Sequence, residues 1–367
     1  MKKAIATLEK QLPDWMETAV VPGLSLALIN EGEIVWAEAF GLADVEAKTP
    51  VTTETVFEAA SLTKPFFATA VLQLVEANIL DLDAPITTYL SASDLQAERL
   101  FEQEQDPHRF DYVPNEPRLH QLTIRQILSH TPGLQNWTDR GQPLQFYFTP
   151  GSRFSYSGNG YNLLQTIIAQ YIKQSPESML HERLIEPLGM THSGLISAEV
   201  AGLHLATKHD AEGKPEASSQ WEFMYAAASL QTTAHDFGRF LLALLNPKGT
   251  SPTLLQPATT AQMWQPQVQV NWNMAWADDW PLENPEVLPD VAWGLGWGLQ
   301  TSNGRTAFWQ WGNNGSFRSF ALGYPDKGSA IAMFTNSANG DKLWEPILEA
   351  TFSDKHPALN WMFNKRG

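Results

Sequence analysis

The chain has 367 residues, 43% of them hydrophobic and 11% aromatic, so it can bury a large core in one domain or two interleaved lobes. Its formal net charge is −16 without any basic run, which argues against nucleic acid or anionic membrane surfaces as partners. The absence of cysteine excludes disulfide and thiolate chemistry and is compatible with a reducing cytosol.

The N-terminal residues predict an amphipathic helix. Met1-Lys2-Lys3 resembles the start of a leader, but Glu9, Lys10 and Pro13 interrupt the apolar region that a leader needs. No stretch approaches the roughly 20 apolar residues that cross a bilayer, so no membrane span is expected. As written, the sequence predicts a cytoplasmic protein, and a periplasmic or secreted one if a leader was removed.

Strands and helices alternate from there on. Apolar runs at 24–29 and 34–40 predict a β-hairpin, and Asp81-Leu82-Asp83-Ala84-Pro85 ends an apolar helix expected over 66–75. Apolar periodicity predicts further helices at 124–128, 161–171, 178–185, 237–245 and 343–352. Thr233-Ala234-His235-Asp236 is expected to cap the helix at 237–245.

The C-terminal part returns to strand-like patterns after a long segment, 265–289, that is expected to run near the surface. The predicted strands lie at 294–299, 307–311, 317–324 and 330–334. Strands at both chain ends with helices between them predict an α/β (α+β) fold, with a central antiparallel sheet flanked by helices. We expect the sheet domain to comprise 1–85 and 229–367, and an inserted, mostly helical lobe to comprise 86–228.

Ser61-Leu62-Thr63-Lys64 places a hydroxyl and an amine at the start of the 66–75 helix. Residues three apart in a first helical turn lie on one face, so a deprotonated Lys64 can accept the Ser61 proton. Backbone amides at a helix start also favour negative charge on a reacting oxygen. Taken alone, the pattern is more often a serine cap beside a solvated lysine, and the rest of the chain favours the catalytic interpretation.

A second chemical element is the polar turn Phe154-Ser155-Tyr156-Ser157-Gly158-Asn159-Gly160-Tyr161. A phenol beside a lysine ammonium has its ionised form stabilised, so Tyr156 can move a proton between the Ser61 oxygen and a leaving group or water. The alternative is a tyrosine that packs through its ring and forms a hydrogen bond through its hydroxyl.

The third element is Trp309-Gln310-Trp311-Gly312-Asn313-Asn314-Gly315, an aromatic strand that runs into a glycine-rich turn. Gly312 permits close backbone approach, and the amide that follows it can be a second oxyanion donor beside that of Ser61. Trp309 and Trp311 share one strand face, which we expect to pack inward while Gln310 meets the cleft. Alone, this segment is also compatible with a hairpin that buries its tryptophans.

In their order and separation, the three segments resemble the active-site motifs of the serine β-lactamase and penicillin-binding-protein superfamily, in particular its class C β-lactamase-like branch. Six further segments, which together span most of 21–340, resemble landmarks of that branch. They are Val21-Pro22-Gly23-Leu24-Ser25, Leu80-Asp81-Leu82-Asp83-Ala84-Pro85, Leu128-Ser129-His130-Thr131-Pro132-Gly133-Leu134, Pro187-Leu188-Gly189-Met190-Thr191, Thr232-Thr233-Ala234-His235-Asp236 and Gly294-Leu295-Gly296-Trp297-Gly298. The resemblance implies a β-lactamase/transpeptidase-like fold in which Ser61 forms an acyl-enzyme and Lys64 and Tyr156 handle protons. It implies neither a metal nor an organic cofactor.

Two positions depart from the family's pattern. Its second motif commonly has asparagine two residues after the tyrosine, where this chain has Gly158 followed by Asn159. Its third motif usually carries lysine or histidine where this chain has Gln310, and a neutral amide offers no permanent charge to a substrate carboxylate. Arg318 can compensate from nearby, although a strand arginine at a surface is more often solvated.

Other candidate residues carry weaker signals. His130 is interpreted as a fold landmark, because the lysine and tyrosine already supply proton transfer. His204 and His209 lack both the spacing and the third ligand of a zinc site. The chain contains neither a Gly-x-Ser-x-Gly elbow nor a phosphate-binding P-loop.

The sequence therefore predicts a serine hydrolase that cleaves a small-molecule ester, amide or peptide. Carboxylesterase activity ranks first because of Gln310, and D-amino-acid peptidase and β-lactamase activities are alternatives. The rival hypothesis is a catalytically silent, penicillin-binding-like sensor or ligand-binding protein, and no oligomeric state is predicted. The predicted catalytic residues are Ser61, Lys64 and Tyr156, and the predicted oxyanion and substrate-binding residues are Ser61, Gln310, Trp311, Gly312, Asn313, Asn159 and Arg318.

Overall fold

A computed structural model describes residues 1–96, 116–138, 144–246, 249, 251–272 and 286–364. The α-helices are α1 Lys2–Ala19, α2 Thr63–Glu76, α3 Ala92–Gln96, α4 Ile124–Leu128, α5 Gly158–Ile172, α6 Pro176–Leu180, α7 Glu186–Leu188, α8 Ala234–Leu245, α9 Pro257–Met263, α10 Trp344–Thr351 and α11 Pro357–Met362. The strands are β1 Gly23–Asn30, β2 Glu33–Asp44, β3 Thr49–Pro50, β4 Phe57–Glu58, β5 Lys208–His209, β6 Pro215–Glu216, β7 Gln231–Thr232, β8 Val268–Asn271, β9 Val287–Trp293, β10 Gly298–Ser302, β11 Arg305–Asn313, β12 Arg318–Tyr324 and β13 Ser329–Thr335. Short 3₁₀ turns include Ala60–Leu62, and a π-helical turn occupies His181–Ile185.

Contacts within the chain form two compact units. The first comprises Met1–Thr63, Leu180–Leu254 and Gln300–Leu359, and the second comprises the described residues of Lys64–Met179, Leu255–Leu299 and Asn360–Gly367. These bounds differ from the predicted division into 1–85 with 229–367 and 86–228.

Hydrogen bonds account for two of these differences. Strand β4 pairs with β7, and the amide of His209 donates to the carbonyl of Asn336, so residues after 179 join the sheet unit. The amide of Gly296 donates to the carbonyl of Leu128, which ties part of the predicted sheet domain to the helices instead.

An antiparallel sheet built from both chain ends forms the first unit. Its strands follow the order β3-β2-β1-β13-β12-β11-β10, and N-terminal β1 pairs antiparallel with C-terminal β13 from Leu24↔Thr335 to Ile29↔Ala330. Both strands are buried almost throughout, as expected for central strands covered on both faces. The predicted sheet from two distant parts of the chain is therefore confirmed.

The helices of the first unit begin where the sequence indicates. The predicted N-terminal helix is α1, and the predicted cap of α8 is Thr233, whose Oγ1 accepts a hydrogen bond from the Asp236 amide at 3.0 Å. In α8, Gly238 faces β1 so closely that an added Cβ would lie 3.2 Å from the Ala27 Cβ. This contact holds the helix against the sheet.

The second unit is mostly helical, with α2, α4 and α5 at its core and the antiparallel pair β8/β9 beside them. Strand β8 and the start of β9 fall in the segment 265–289 predicted as a surface excursion, and residues 273–285 of that segment lie outside the described residues. The predicted strand at 294–299 is wrong in its first half. Gly294 donates to the carbonyl of Trp297 in a turn, and Gly296 has φ 90°, so the strand begins only at Gly298.

No helix among the described residues is both long and apolar enough to cross a membrane.

Candidate active site

Ser61 lies in the 3₁₀ turn that leads into α2 and is half-buried. The residue before it, Ala60, has φ 50°, in the left-handed region that residues with a Cβ seldom adopt. Such a conformation costs about 1–2 kcal/mol for a non-glycine residue. The predicted nucleophile therefore sits on a sharp backbone turn that its surroundings must hold in place.

Four hydrogen bonds within the first unit hold this turn. Thr63 Oγ1 donates to the carbonyl of Ala60 at 2.6 Å and accepts from the amide of Leu230 at 3.0 Å. The Ala59 amide donates to the Leu230 carbonyl at 2.8 Å, and Ser319 Oγ donates to the Ala59 carbonyl at 2.7 Å. Because these partners belong to β12 and to the residue before β7, the turn is fastened to the large sheet on one side and to the small β4/β7 pair on the other.

Gly312 permits strand β11 to approach the turn. An added Cβ would lie 2.4 Å from the Ala59 oxygen, 3.0 Å from the Ala60 Cβ and 2.1 Å from Ser319 Oγ. These distances are too short for a side chain, so the predicted close backbone approach at this glycine is confirmed. The Asn313 amide, predicted as the second oxyanion donor, follows on the same strand, and no contact of the described residues tests that role.

Gln310 shares the face of Gly312 because side chains alternate along a strand. Trp309 and Trp311 share the other face, where their rings stack at 5.8 Å. The side chain of Gln310 is wholly buried, and its Nε2 donates to the carbonyl of Trp311 at 2.9 Å, so the expectation that the Gln310 side meets the cleft stays a prediction. The amide donor is thus directed at the protein's own backbone.

Arg318 fastens the turn between β11 and β12. Its Nη1 donates to Asn313 Oδ1 at 2.6 Å, to the Phe317 carbonyl at 3.3 Å and also to the Gly315 carbonyl. Its neighbour Ser319 points at the nucleophile turn, so strand alternation directs Arg318 to the opposite face. Burial lowers the pKa of the Arg318 guanidinium, which is therefore neither simply solvated nor on the face of the nucleophile.

Lys64 belongs to the second unit, where its side chain is wholly buried among aromatic rings. Its Nζ lies 4.8 Å from the ring centroid of Tyr156, 5.8 Å from that of Tyr161 and 5.9 Å from that of Trp137. Each ring attracts an ammonium by about 1 kcal/mol, but full burial disfavours the charge more strongly. Burial thus lowers the pKa of Lys64 well below its usual range and favours a neutral amine that can accept a proton.

Tyr156 is buried in the same unit and stacks on His130, which its sequence motif indicates only as a fold landmark. The rings of Tyr156 and His130 lie 4.1 Å apart at 28°, and His130 Nδ1 accepts the Ser157 amide at 3.0 Å. Burial lowers the pKa of His130 well below its usual range, and Lys64 lowers it further whenever its amine is protonated. Since Nδ1 is an acceptor, the neutral ring carries its proton on Nε2. His130 therefore supports Tyr156 directly, which the motif Ser129-His130-Thr131-Pro132-Gly133 alone did not indicate.

Tyr161 has a different role from Tyr156. Its hydroxyl donates to the carbonyl of Leu128 at 3.0 Å, and its ring lies 5.2 Å from that of His130. Burial, followed by the neighbouring Tyr156, raises the pKa of Tyr161 well above its usual range. Tyr161 thus stays neutral and contributes an aromatic ring to the surroundings of the Lys64 amine.

The departure in the second motif has a local explanation. The Gly158 amide donates to Asn136 Oδ1 at 2.8 Å, and an added Cβ at Gly158 would lie 3.1 Å from the Trp137 ring. Glycine therefore permits close packing at this position. Asn159, predicted to bind substrate, is wholly buried at the start of α5, and no described residue forms a hydrogen bond with its side chain amide.

His204 and His209 each lie within hydrogen-bond distance of a different part of the chain. His204 Nδ1 is 3.0 Å from Thr55 Oγ1, whereas His209 Nδ1 is 3.2 Å from the Asn336 carbonyl oxygen. Among the described residues, histidines, aspartates and glutamates form no group that could hold a metal ion.

The family model described as Beta-lactamase matches residues 5–351. The chain belongs to the Beta-lactamase family. Members of the Beta-lactamase family are generally serine hydrolases, and the predicted membership and β-lactamase/transpeptidase-like fold are confirmed. Assignment to the class C branch remains a prediction.

Similar proteins carry several names. Protein flp of Staphylococcus aureus (strain NCTC 8325 / PS 47) is 24% identical over 292 residues, which cover 73% of this chain and 54% of flp. The Beta-lactamase family chain thus spans about half the length of this curated relative. Penicillin-binding protein 4 of Amycolatopsis lactamdurans is 27% identical over 342 residues, covering 86% of this chain and 81% of that protein. A crystal structure of SurE with D-Leu superposes with a TM-score of 0.73 at 23% identity, covering 97% of this chain and 78% of that one, and supports the fold alone.

Proposed function

We propose that this protein is a serine hydrolase that cleaves esters or amides through an acyl-enzyme on Ser61. The observation that carries the proposal is the buried Lys64, which follows Ser61 by three residues and whose lowered pKa favours the neutral amine. A neutral amine at that position is the base that a serine hydroxyl needs, since the hydroxyl alone is a weak nucleophile.

The proposed reaction has two halves. Lys64 takes the Ser61 proton as the Ser61 oxygen attacks the carbonyl carbon, and the oxyanion is stabilised by the amides of Ser61 and Asn313. The proton then passes through Lys64 and Tyr156 to the leaving oxygen or nitrogen, whose bond to the carbon breaks. In the second half, water attacks the acyl carbon and gives its proton to Tyr156 and Lys64, which pass it to the Ser61 oxygen as the bond between that oxygen and the acyl carbon breaks and the acid leaves.

The ester class ranks first for the substrate. Gln310 replaces the usual cation of the third motif, and its buried donor is directed at the Trp311 carbonyl, so recognition of a substrate carboxylate lacks an evident charge. The similar SurE structure was solved with D-Leu, which makes D-amino-acyl esters and amides the second class to test. The same Gln310 geometry favours the rival hypothesis of a silent binding protein.

The test compares wild type, Ser61→Ala, Tyr156→Phe and, as a matched control, Ser152→Ala at an exposed serine. Substrates are p-nitrophenyl acetate and butyrate, with nitrocefin in parallel and a fluorophosphonate probe read by intact mass. We expect one covalent adduct and ester turnover in wild type and Ser152→Ala, and neither in Ser61→Ala. An unlabelled wild type without turnover would overturn the proposal in favour of the silent binding protein.

A further inference from the structure

A cavity of about 210 Å³ lies within the first unit, lined by β4, β7 and Phe317 of the β11–β12 turn. Its volume is below the roughly 300–1,000 Å³ of sites for drug-sized ligands, so it fits a group of amino-acid size. Apolar walls are formed by Val56, Leu205 and Phe317, among others. The polar residues Ser197, Ser218, Ser219 and Gln220 also line the cavity. Glu58 and Gln231 are the polar lining residues that are buried.

Glu58 brings a carboxylate to the cavity although only 6% of the residue is exposed. Its Oε2 accepts a hydrogen bond from Asn314 Nδ2 at 2.8 Å. Within the described part of the chain, no group donates to its other oxygen and no lysine or arginine pairs with it. A buried carboxylate in this state favours a ligand that brings a donor, best of all a cation.

Gln231 lies directly opposite Glu58 in the β4/β7 pair and is also 6% exposed. Its backbone is bonded on both sides to Gly194, but its side chain Nε2 finds no acceptor among the described residues. A buried amide donor of this kind is complementary to a carbonyl oxygen. The cavity therefore offers an acceptor and a donor side by side against an apolar wall.

We propose that this cavity binds a primary ammonium group with a neighbouring carbonyl oxygen on a short apolar body, as at the free amino end of an amino-acid or peptide derivative. The ammonium pairs with Glu58, the carbonyl accepts from Gln231, and the side chain packs on Phe317 and Leu205. A ligand carboxylate at the same place would face Glu58 and is disfavoured.

The position of the cavity connects it with the reaction, and this step rests on the proposed function. Glu58 precedes Ser61 by three residues, a span of at most about 11 Å, and Asn314 joins Glu58 to the turn that follows Gly312. The carbonyl that Gln231 holds lies beside the ammonium, so it is a different carbonyl from the one that Ser61 attacks. The substrate class becomes an ester or amide of an unblocked peptide, whose first carbonyl pairs with Gln231 and whose next carbonyl reaches Ser61.

Binding is tested without turnover in Ser61→Ala by calorimetry with leucinamide, in both enantiomers. N-acetyl-leucinamide lacks the charge and isocaproamide lacks the amine, so both should bind at least about tenfold more weakly. When Glu58→Gln is added to Ser61→Ala, leucinamide should bind more weakly to a similar degree. When Gln231→Met is added instead, leucinamide should bind about threefold more weakly. Glu46→Gln removes an exposed charge elsewhere and should change nothing.

Glu58→Gln keeps an oxygen for Asn314, and thermal unfolding verifies that each variant folds. Equal binding of the three amides, or full leucinamide affinity in Glu58→Gln, would overturn the proposal.

A kinetic arm separates this inference from the proposed function. Wild type should prefer the p-nitroanilide of leucylglycine over that of isocaproylglycine by about tenfold in kcat/KM, and Glu58→Gln should bring this ratio toward one. Turnover of both anilides without preference, and without leucinamide binding, overturns the cavity proposal and leaves the hydrolase intact. Leucinamide binding without any turnover supports the cavity and overturns the hydrolase.

Discussion

The two units position their reactive groups by different physical means. In the first unit, Ser61 is placed by backbone geometry: a left-handed Ala60, hydrogen bonds to Thr63 and Ser319, and contact with Gly312. In the second unit, Lys64 is surrounded by aromatic rings that exclude water. The position of the Ser61 nucleophile thus depends on close backbone packing, whereas the protonation state of the Lys64 base depends on the burial of its amine.

This difference separates the mutations that should damage each region. A change of size should disturb the Ser61 turn, because its atoms are already in close contact. A change of charge or polarity should disturb the Lys64 surroundings, because an uncompensated charge is disfavoured there.

The largest effect is expected from Lys64→Met, which removes the base but keeps an apolar chain of similar length. We expect ester kcat/KM to fall about a thousandfold, within the range attributed to general bases. Lys327→Met is the matched control, because Lys327 Nζ also lies 4.8 Å from a tyrosine ring, that of Tyr324. Lys327 is partly exposed and paired with Asp354 at 3.1 Å, so its loss should leave turnover unchanged. Equal losses in both variants would contradict the assigned role of Lys64.

Gly312→Ala should have the next largest effect. The added methyl group would displace Ala59 and Ala60, and a misplacement of about 1 Å can cost about a hundredfold in rate. Steady-state turnover of p-nitrophenyl butyrate measures the loss. Gly304→Ala is the control for an added methyl group without a close contact: nothing lies within 4 Å of an added Cβ there, although Gly304, unlike Gly312, has a positive φ of 74° and so carries backbone strain. If the two variants lose activity equally, the close approach at Gly312 is irrelevant to catalysis.

His130→Phe should have a smaller effect because the aromatic stack on Tyr156 is kept. The variant loses the acceptor of the Ser157 amide, and we expect about a tenfold decrease in kcat with little change in KM. Asparagine tolerates the positive φ of 56° at position 130, but it removes the aromatic ring. His130→Asn should therefore decrease kcat more than His130→Phe does. The opposite ranking would show that the hydrogen bond, and not the stack, positions Tyr156.

The smallest effect concerns the pH dependence of stability. Because burial lowers the folded-state pKa of Lys64, the unfolded chain binds more protons between that pKa and about 10.4. Lys64 therefore lowers the free energy of unfolding by its full amount below the folded-state pKa. This destabilisation disappears as the pH rises toward about 10.4.

Lys64→Met should accordingly be more stable than wild type near neutral pH, with an advantage that shrinks by about 1 kcal/mol or more between pH 7 and pH 10. Urea unfolding of both proteins across this range gives the difference. A constant or growing advantage would show that Lys64 is charged in the folded protein.

The sequence by itself determined the family, the motif residues and most of the regular elements, because these are written in local patterns. The Thr233 cap, helix α1 and the strands on both sides of Gly312 follow from periodicity and turn residues alone. Only the tertiary structure decided the state of each side chain. Gln310 is closed to solvent, Arg318 is turned to the other face of the sheet, and His130 lies against Tyr156. Burial, strand facing and ring stacking depend on residues far apart in the chain, and no local pattern encodes them.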